Sequence, residues 1–169
     1  LQTFRNVCKK ENLNLKHLFI YTAPPYQSPE PTENEAFLMS RYQNMTKMLR
    51  KKKWITLREG RCQRLKIDGE YKYSQKGVDI LIVIDLMRFE KEFPEVKTII
   101  LIACDSDFVP AIKQLRDEKI KVIIYTYFDR KRNSSFSRYN ELLKSCDKWI
   151  KLNPEDFGDV LLDKNKEVK

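Results

Sequence analysis

The sequence is short of the residues on which many enzyme and metal sites depend. It has one histidine, His17, in 169 residues, which excludes Ser-His-Asp or Cys-His catalysis unless that residue is the base. Its four cysteines lie far apart, at Cys8, Cys62, Cys104 and Cys146. They form no CxxC zinc motif and no dense disulfide framework. Any metal ion would therefore be bound through oxygen atoms.

Long apolar runs and chain-breaking residues are also scarce. No apolar run reaches the ~18 residues that a membrane span needs, and the longest, Ile99 to Cys104, ends at Asp105. Four glycines and seven prolines are too few for a linker or a fibrous protein. No signal peptide is visible, and dispersed cysteines are typical of a reducing compartment. We predict a cytoplasmic protein without a membrane partner.

The charge balance is strongly positive. Thirty-three Lys and Arg residues against 24 Asp and Glu residues give a formal net charge of +9, and 41% of all residues are hydrophobic. That hydrophobic share is typical of a folded chain, and the length favours one domain. Because net charge reports on partners and not on fold, the surplus points to an anionic partner of undefined class.

Hydrophobic patterns predict an α/β fold. A capping box, Thr32 with Glu35, begins a helix that runs to about Lys51. The stretch 78–89 is longer than most buried strands and is predicted to be a buried helix. The remainder alternates strand, helix, strand, helix, strand at 98–104, 107–118, 120–128, 136–146 and 149–152. This alternation predicts βαβ units and a mainly parallel sheet.

A basic segment at 54–76 interrupts this alternation. The dipeptide Asp68-Gly69 lies between two strand-like runs and predicts a β-hairpin with a tight turn. Basic residues alternate there with Tyr71 and Tyr73, which suits phosphate contacts and base stacking, and a solvated hairpin face explains the pattern equally well. The candidate RNA contacts are Arg61, Arg64, Lys72, Tyr73, Lys76 and, further along the chain, Arg138.

The most informative segment for chemistry is Asp105-Ser106-Asp107, which follows an apolar run that begins at Ile99. Ligand sites in open α/β sheets lie beyond the carboxyl ends of the strands. Mg²⁺ and similar hard cations bind there through a few carboxylates. The structural alternative is that Asp107 is a helix N-cap and Asp105 an ordinary loop residue.

Asp79 and Asp85 form a second acidic feature, inside an apolar stretch where an unpaired carboxylate would be costly. Asp79 lies at the predicted helix start and could point into the same cleft as Asp105, with an N-cap role as its alternative. For Asp85, a buried salt bridge or a hydrogen bond that supports the metal ligands fits better than direct binding.

These motifs resemble the NYN domain, a family of PIN-like nucleases that includes the LabA-like group. The family has a "KGxD" helix start, here Lys76 to Asp79, and a strand that ends in "SGDSDF". Ala103-Cys104 replaces its Ser-Gly, and Asp105 to Phe108 is retained. The resemblance covers about 15–152, and we expect the domain at 1–152 and a tail at 153–169.

The resemblance implies a three-layer PIN-like (Rossmannoid) fold, with the hairpin as an excursion from a mainly parallel central sheet. It also implies an endoribonuclease in which Asp79, Asp105 and Asp107 bind Mg²⁺ or Mn²⁺ and Ser106 orients the substrate. The family's first strand, which ends in "DGxN", has no counterpart before Leu18. We expect that strand to lie upstream, and a sheet without it would have an open edge or a gap.

Two other functions fit parts of the sequence. A degenerate site would leave an RNA-binding or protein-interaction module that keeps the basic hairpin. Asp105 and Asp107 also match the "DxDx(T/V)" motif of haloacid-dehalogenase-type phosphatases, and 158–163 matches their "GDxxxD". In those enzymes the first motif opens the chain, whereas here about a hundred residues precede it.

Overall fold

The computed structural model describes residues 1–127 and 140–157. Its helices are α1 (Gln2–Lys10), α2 (Glu33–Arg50), α3 (Val78–Glu92), α4 (Val109–Asp117) and α5 (Asn140–Ser145). Its strands are β1 (Leu18–Thr22), β2 (Ile55–Glu59), β3 (Arg61–Ile67), β4 (Glu70–Lys76), β5 (Thr98–Ile102), β6 (Lys121–Thr126) and β7 (Lys148–Lys151). The described residues form two compact units, one from 16–85 and one from 1–15 together with the described residues from 86 onward.

The fold is mixed α/β with parallel sheets, as the sequence predicts. The parallel strands form two separate sheets, β1–β2 and β5–β6–β7. The single central sheet expected from the sequence is therefore not present in the described part of the chain. A strand joins a sheet only through hydrogen bonds to a neighbour, and within the described residues β1 pairs with β2 alone and β5 with β6 alone.

The unit at 16–85 begins with a βαβ element, in which α2 connects the parallel strands β1 and β2. The predicted capping box is present: the Glu35 N–H donates to the Thr32 hydroxyl at 3.2 Å, and the Thr32 N–H donates to the Glu35 carboxylate at 3.1 Å. These bonds satisfy backbone donors that a helix leaves unpaired at its first turn. The capping box thus sets where α2 begins.

An antiparallel hairpin, β3 with β4, follows in the same unit. Its turn residues Asp68 and Gly69 both have positive φ, at 53° and 85°. That backbone matches the twist of the flanking strands, and Asp and Gly adopt it at low cost. The turn fixes the register, with Arg64 opposite Tyr73 and Lys66 opposite Tyr71.

Helix α3 is a helix as predicted, but the expectation that it is buried is wrong. Ile80 is 66% exposed, and Ile84 and Met87 are exposed with it. At spacings of four and three these residues share one face, whereas Asp85 and Leu86 are buried. An almost continuous apolar run cannot show which face of a helix is covered.

No helix in the described ranges is long and apolar enough to cross a membrane.

The core of the other unit is built on β6, the middle strand of its sheet. Ile123 and Tyr125 pack against Val7 of α1. Val122 and Ile124 alternate with them along the strand and are fully buried. Burial on both faces explains why this segment is a continuous apolar run in the sequence.

Charged groups attach the segment after α1 to this sheet. The Glu11 carboxylate, 7% exposed, accepts hydrogen bonds from Lys148 Nζ at 2.7 Å and from the Tyr125 hydroxyl at 3.0 Å. The lysine bond is the main reason that the pKa of Glu11 is lowered, although burial opposes the shift. Lys10 forms a second ion pair, with Asp156. The hydrogen bonds from Lys148 and Tyr125 stabilise the ionised form of Glu11 in the folded state.

Glu11→Gln is expected to lower the thermal midpoint near neutral pH, through a loss of about 1–2 kcal/mol. Since folding lowers the pKa of Glu11, its stabilisation is complete above the ordinary value of 4.5. It is lost as the pH falls through the folded-state value. Circular dichroism melts should therefore show that the thermal midpoint falls less between neutral and acidic pH in the variant than in the wild type. Equal falls in the wild type and the variant would contradict this assignment, and Glu90→Gln on the exposed surface of α3 is the control.

Candidate functional site

The two acidic residues of the Asp-Ser-Asp motif lie in the connection between β5 and α4. The Ala103 N–H donates to the Tyr125 carbonyl at 3.1 Å, which keeps the chain beside β6 for one residue beyond β5. A 3₁₀ turn, Ser106–Phe108, then leads directly into α4. Phe108 is buried and anchors this turn. The motif therefore lies at the carboxyl edge of the β5–β6–β7 sheet, as predicted.

Within the turn, Asp105 and Asp107 have different roles. The Oδ1 atom of Asp105 accepts a hydrogen bond from the Asp107 N–H at 2.9 Å, so Asp105 is the N-cap, and not Asp107. Both side chains are exposed. The Asp107 carboxylate makes no hydrogen bond or ion pair with another described residue. Asp107 is therefore available to a ligand, and Asp105 uses one carboxylate oxygen for the backbone.

Two further residues lie at the same carboxyl edge. Tyr127 directly follows β6, and Lys151 ends β7. The Lys151 ammonium lies over the Tyr127 ring, 5.5 Å from its centroid. The sequence patterns did not single out this pair, but the ends of parallel strands meet at one edge. That rule, applied to every predicted strand, would have found both residues.

Asp79, the third predicted ligand, belongs to the unit at 16–85. It lies exposed in the first turn of α3, directly after Gly77 and Val78. Gly77 has a φ of 80°, a conformation that favours glycine, and this explains the glycine of the "KGxD" motif. In the part of the chain that the structure describes, no group of three or more His, Cys, Asp or Glu side chains is arranged to hold a metal ion.

Asp85 forms a buried salt bridge, one of the two roles that the sequence suggested for it. Its side chain is 7% exposed. Arg58 donates to both carboxylate oxygens at 2.9 Å, and the Tyr21 hydroxyl donates at 3.0 Å. These bonds connect β1 and β2 to the middle of α3. They also show that Arg58, a member of the basic segment, has a structural partner.

One face of the hairpin carries cationic and aromatic side chains together. Arg64 is opposite Tyr73 and Lys66 is opposite Tyr71 in the register, so all four lie on the same face. We call these four residues the aromatic face. The Arg64 guanidinium lies 4.4 Å from the centroid of the Tyr71 ring. Two of the predicted RNA contacts, Arg64 and Tyr73, are thus brought together.

The remaining predicted contacts on the hairpin lie on its opposite face. Arg61 is opposite Lys76, and Lys72 is opposite Leu65, at positions that alternate with the aromatic face. Strand alternation separates the predicted set into two groups, which the spacing of the residues already implied.

Arg138, and the possible phosphatase motif at 158–163, lie outside the described residues.

A cavity of about 550 Å³ lies away from the acidic turn. Lys121, which begins β6, and Lys119 line it, together with Arg116 and Asp147. The Arg116 Nε atom donates to the Asp147 carboxylate at 3.2 Å, and that carboxylate also accepts from the Val122 N–H at 2.8 Å. This pair holds the start of β7 beside β6, so Arg116 and Asp147 have a structural role.

Comparison with known proteins defines the family. The family model of the NYN domain matches residues 4–153, and a search of curated proteins found no match. A crystal structure of a protein of unknown function from Vibrio parahaemolyticus RIMD 2210633 is 15% identical, with a TM-score of 0.54 over 90% of this chain and 78% of that one. This second likeness concerns the fold alone. NYN domains are generally ribonucleases, which supports a hydrolase that acts on RNA. The chain belongs to the NYN domain family.

Proposed function

We propose that this domain is an endoribonuclease that hydrolyses RNA phosphodiester bonds with Mg²⁺ or Mn²⁺ bound to carboxylates. The observation that carries the proposal is the turn with Asp105 and Asp107, because it presents two exposed carboxylates at the carboxyl edge of a parallel sheet. Family membership supports the reaction class. Assignment to the LabA-like group and the PIN-like three-layer arrangement stay predictions.

The donor atoms of the turn suit a hard divalent cation. Such ions bind oxygen ligands, usually one or two carboxylates, and keep several waters. Asp107 offers a carboxylate that no other described residue engages, and Asp105 offers its Oδ2 atom. When bound, the ion would lower the pKa of a coordinated water and offset negative charge on the phosphate. Asp79 as a further ligand stays a prediction. It is tested by whether Asp79→Asn loses metal-dependent cleavage of RNA.

Neighbouring side chains of this chain would bind and orient the RNA. The Ser106 hydroxyl lies between the two carboxylates in sequence and can donate to a phosphate oxygen. Lys151 at the same edge supplies a positive charge, and a cation near a phosphate contributes to affinity that weakens with salt. The basic residues of the hairpin, which belongs to the other unit, would raise the overall positive charge that attracts RNA to the chain. The acidic turn would hold the cation and the basic residues would gather the substrate.

The test is cleavage of a fluorescently labelled RNA by the longest natural chain that contains these residues. We expect internal cleavage with Mg²⁺ or Mn²⁺ and none with EDTA, with activity restored when metal is added back. Absence of cleavage with both metals, while RNA still binds with a steep salt dependence, would instead support a non-catalytic RNA-binding module. Release of phosphate from a phosphomonoester without RNA cleavage would favour the phosphatase alternative.

A further inference from the structure

The aromatic face of the hairpin extends beyond the two strands to a third tyrosine. Tyr26, in the loop after β1, lies with its ring centroid 4.3 Å from the Arg64 guanidinium and 5.7 Å from the Tyr73 ring centroid. Arg64 is therefore in contact with two aromatic rings, Tyr26 and Tyr71. A cation over an aromatic ring contributes about 0.5–1 kcal/mol at an exposed site. These contacts therefore favour the arrangement in which the rings lie around Arg64.

The rings of the hairpin remain largely open in spite of these contacts. Tyr71 is 54% exposed and Tyr73 is 56% exposed. Cross-strand pairing with Lys66 and Arg64 stabilises the hairpin, but such pairs contribute only about 0.2–1 kcal/mol each. Hairpin stability alone does not account for two large apolar rings kept in contact with water. Their exposure leaves aromatic surface for a ligand.

An apolar groove continues from this face. Its volume is about 410 Å³, and Tyr73 and Gln75 of β4 line it with Pro24, Leu38 and Tyr42. A volume of about 300–1,000 Å³ with mostly apolar walls and a few polar groups is typical of sites for small ligands. The groove can therefore take a flat aromatic group such as a nucleobase beside the Tyr73 ring.

The charge of the hairpin identifies the chemistry of the ligand. Residues 61–76 include five Lys or Arg and two Asp or Glu. Lys66 lies 5.9 Å from the centroid of the Tyr71 ring, so positive charge lies next to aromatic surface. A ligand that matches the positive charge and the aromatic surface has flat rings and negative charges in alternation. Nucleic acid has that pattern, because each base is attached to one phosphate.

We infer that the aromatic face and its groove bind unpaired bases of single-stranded RNA by stacking. This inference rests on the proposed ribonuclease function, because it names the form of RNA that the domain takes. Tyr71 and Tyr73 are two residues apart on one strand, so their Cα atoms are about 6.6 Å apart. Successive bases stacked within a DNA duplex are only about 3.4 Å apart along each strand. Successive bases can reach the two rings only when the strand is unpaired and extended.

The test measures binding by fluorescence anisotropy in EDTA, so that no cleavage occurs. The probes are an oligouridine of about 12 nucleotides, a strand of the same length that lacks bases, and a duplex of that length. We expect the wild-type chain to bind oligouridine at least about 10-fold more tightly than the other two probes. Tyr71→Leu and Tyr73→Leu should each weaken oligouridine binding by about 5- to 100-fold, the range found for loss of one stacked base.

The matched control is Phe37→Leu. Phe37 of α2 is 56% exposed and lies beneath the guanidinium of Arg41, so it is an equally open aromatic ring with a cationic neighbour, outside the aromatic face. This substitution should leave binding of all three probes unchanged. Binding of the abasic strand should be unchanged in every variant, because none of them loses a charge.

The outcomes separate this inference from the proposed function. Equal binding of the three probes by the wild type, or tyrosine variants that bind oligouridine normally, would overturn the inference. Metal-dependent cleavage would still support the ribonuclease in that case. Loss of oligouridine binding in the tyrosine variants of a chain that never cleaves RNA would support stacking and reject the ribonuclease. Circular dichroism verifies that each variant is folded.

Discussion

Asp107→Asn is expected to reduce metal-dependent RNA cleavage by about 100-fold or more, with little change in stability or RNA binding. Loss of a residue that only supports a metal ligand typically lowers metal affinity or activity 10- to 100-fold. Loss of the ligand itself should lower activity at least as much. The amide keeps the shape of the side chain but removes its charge. Because the Asp107 carboxylate engages no other described residue, the fold should not depend on it.

Asp105→Asn separates the two roles of that residue. Asn and Asp are about equally good N-caps, so the hydrogen bond from the Asp107 N–H should survive through the amide oxygen. Cleavage should fall as it does in Asp107→Asn, since the carboxylate charge is lost. Single-turnover cleavage in Mg²⁺ and a thermal melt measure the two effects separately.

The control for both variants is Asp117→Asn, which removes an exposed carboxylate at the end of α4 away from the turn. It makes the same change in net charge and should cleave RNA at the wild-type rate. If Asp105→Asn and Asp107→Asn also cleave at that rate, the assignment of the metal ligands is wrong, although the reaction class could still stand.

Asp85→Ala is expected to lower the free energy of unfolding by about 3 kcal/mol, near the lower end of the range for breaking a buried ion pair. The substitution takes away the carboxylate that accepts two hydrogen bonds from Arg58 and one from Tyr21. Arg58 is half-exposed, so water can solvate part of its charge, and this places the cost at the lower end. Urea denaturation followed by circular dichroism measures the loss.

Two further variants make that measurement specific. Asp85→Asn keeps an acceptor for Arg58 and should cost less than Asp85→Ala, and it remains measurable if the alanine variant does not fold. Asp68→Asn removes an exposed carboxylate from the hairpin turn, where Asn tolerates the positive φ. It should change stability by no more than about 0.5 kcal/mol. A wild-type urea midpoint for Asp85→Ala would show that the ion pair contributes nothing net.

Features that depend on neighbouring residues were predictable from the sequence. The Thr32–Glu35 capping box and the Asp68-Gly69 turn are set by hydrogen bonds and φ angles within a few residues. The place of Asp105 after β5 followed from one apolar run. The division of the hairpin into two faces was also implicit, since a two-residue turn and strand alternation fix which side chains share a face.

Features that depend on distant residues were not predictable in the same way. Asp85 and Arg58 are 27 residues apart in the sequence, and the pattern of either segment does not identify the other. The apolar run of α3 predicted burial because nothing in it marks a solvent-facing side, yet Ile80 is exposed. Both outcomes depend on tertiary packing, for which local sequence patterns supply no direct signal.

The discontinuous unit has a consequence for synthesis of the protein. Glu11 and Lys148, which hold its two segments together, are 137 residues apart in the chain. At typical translation rates of about 5–20 residues per second, α1 leaves the ribosome roughly 7–27 s before its partner strand exists. The unit at 16–85, which is continuous in sequence, is complete well before then. Val7 packs against Ile123 and Tyr125 of β6 in the finished fold, and it lacks both partners for most of that interval, so its apolar side chain is not covered by the sheet until β6 has been made.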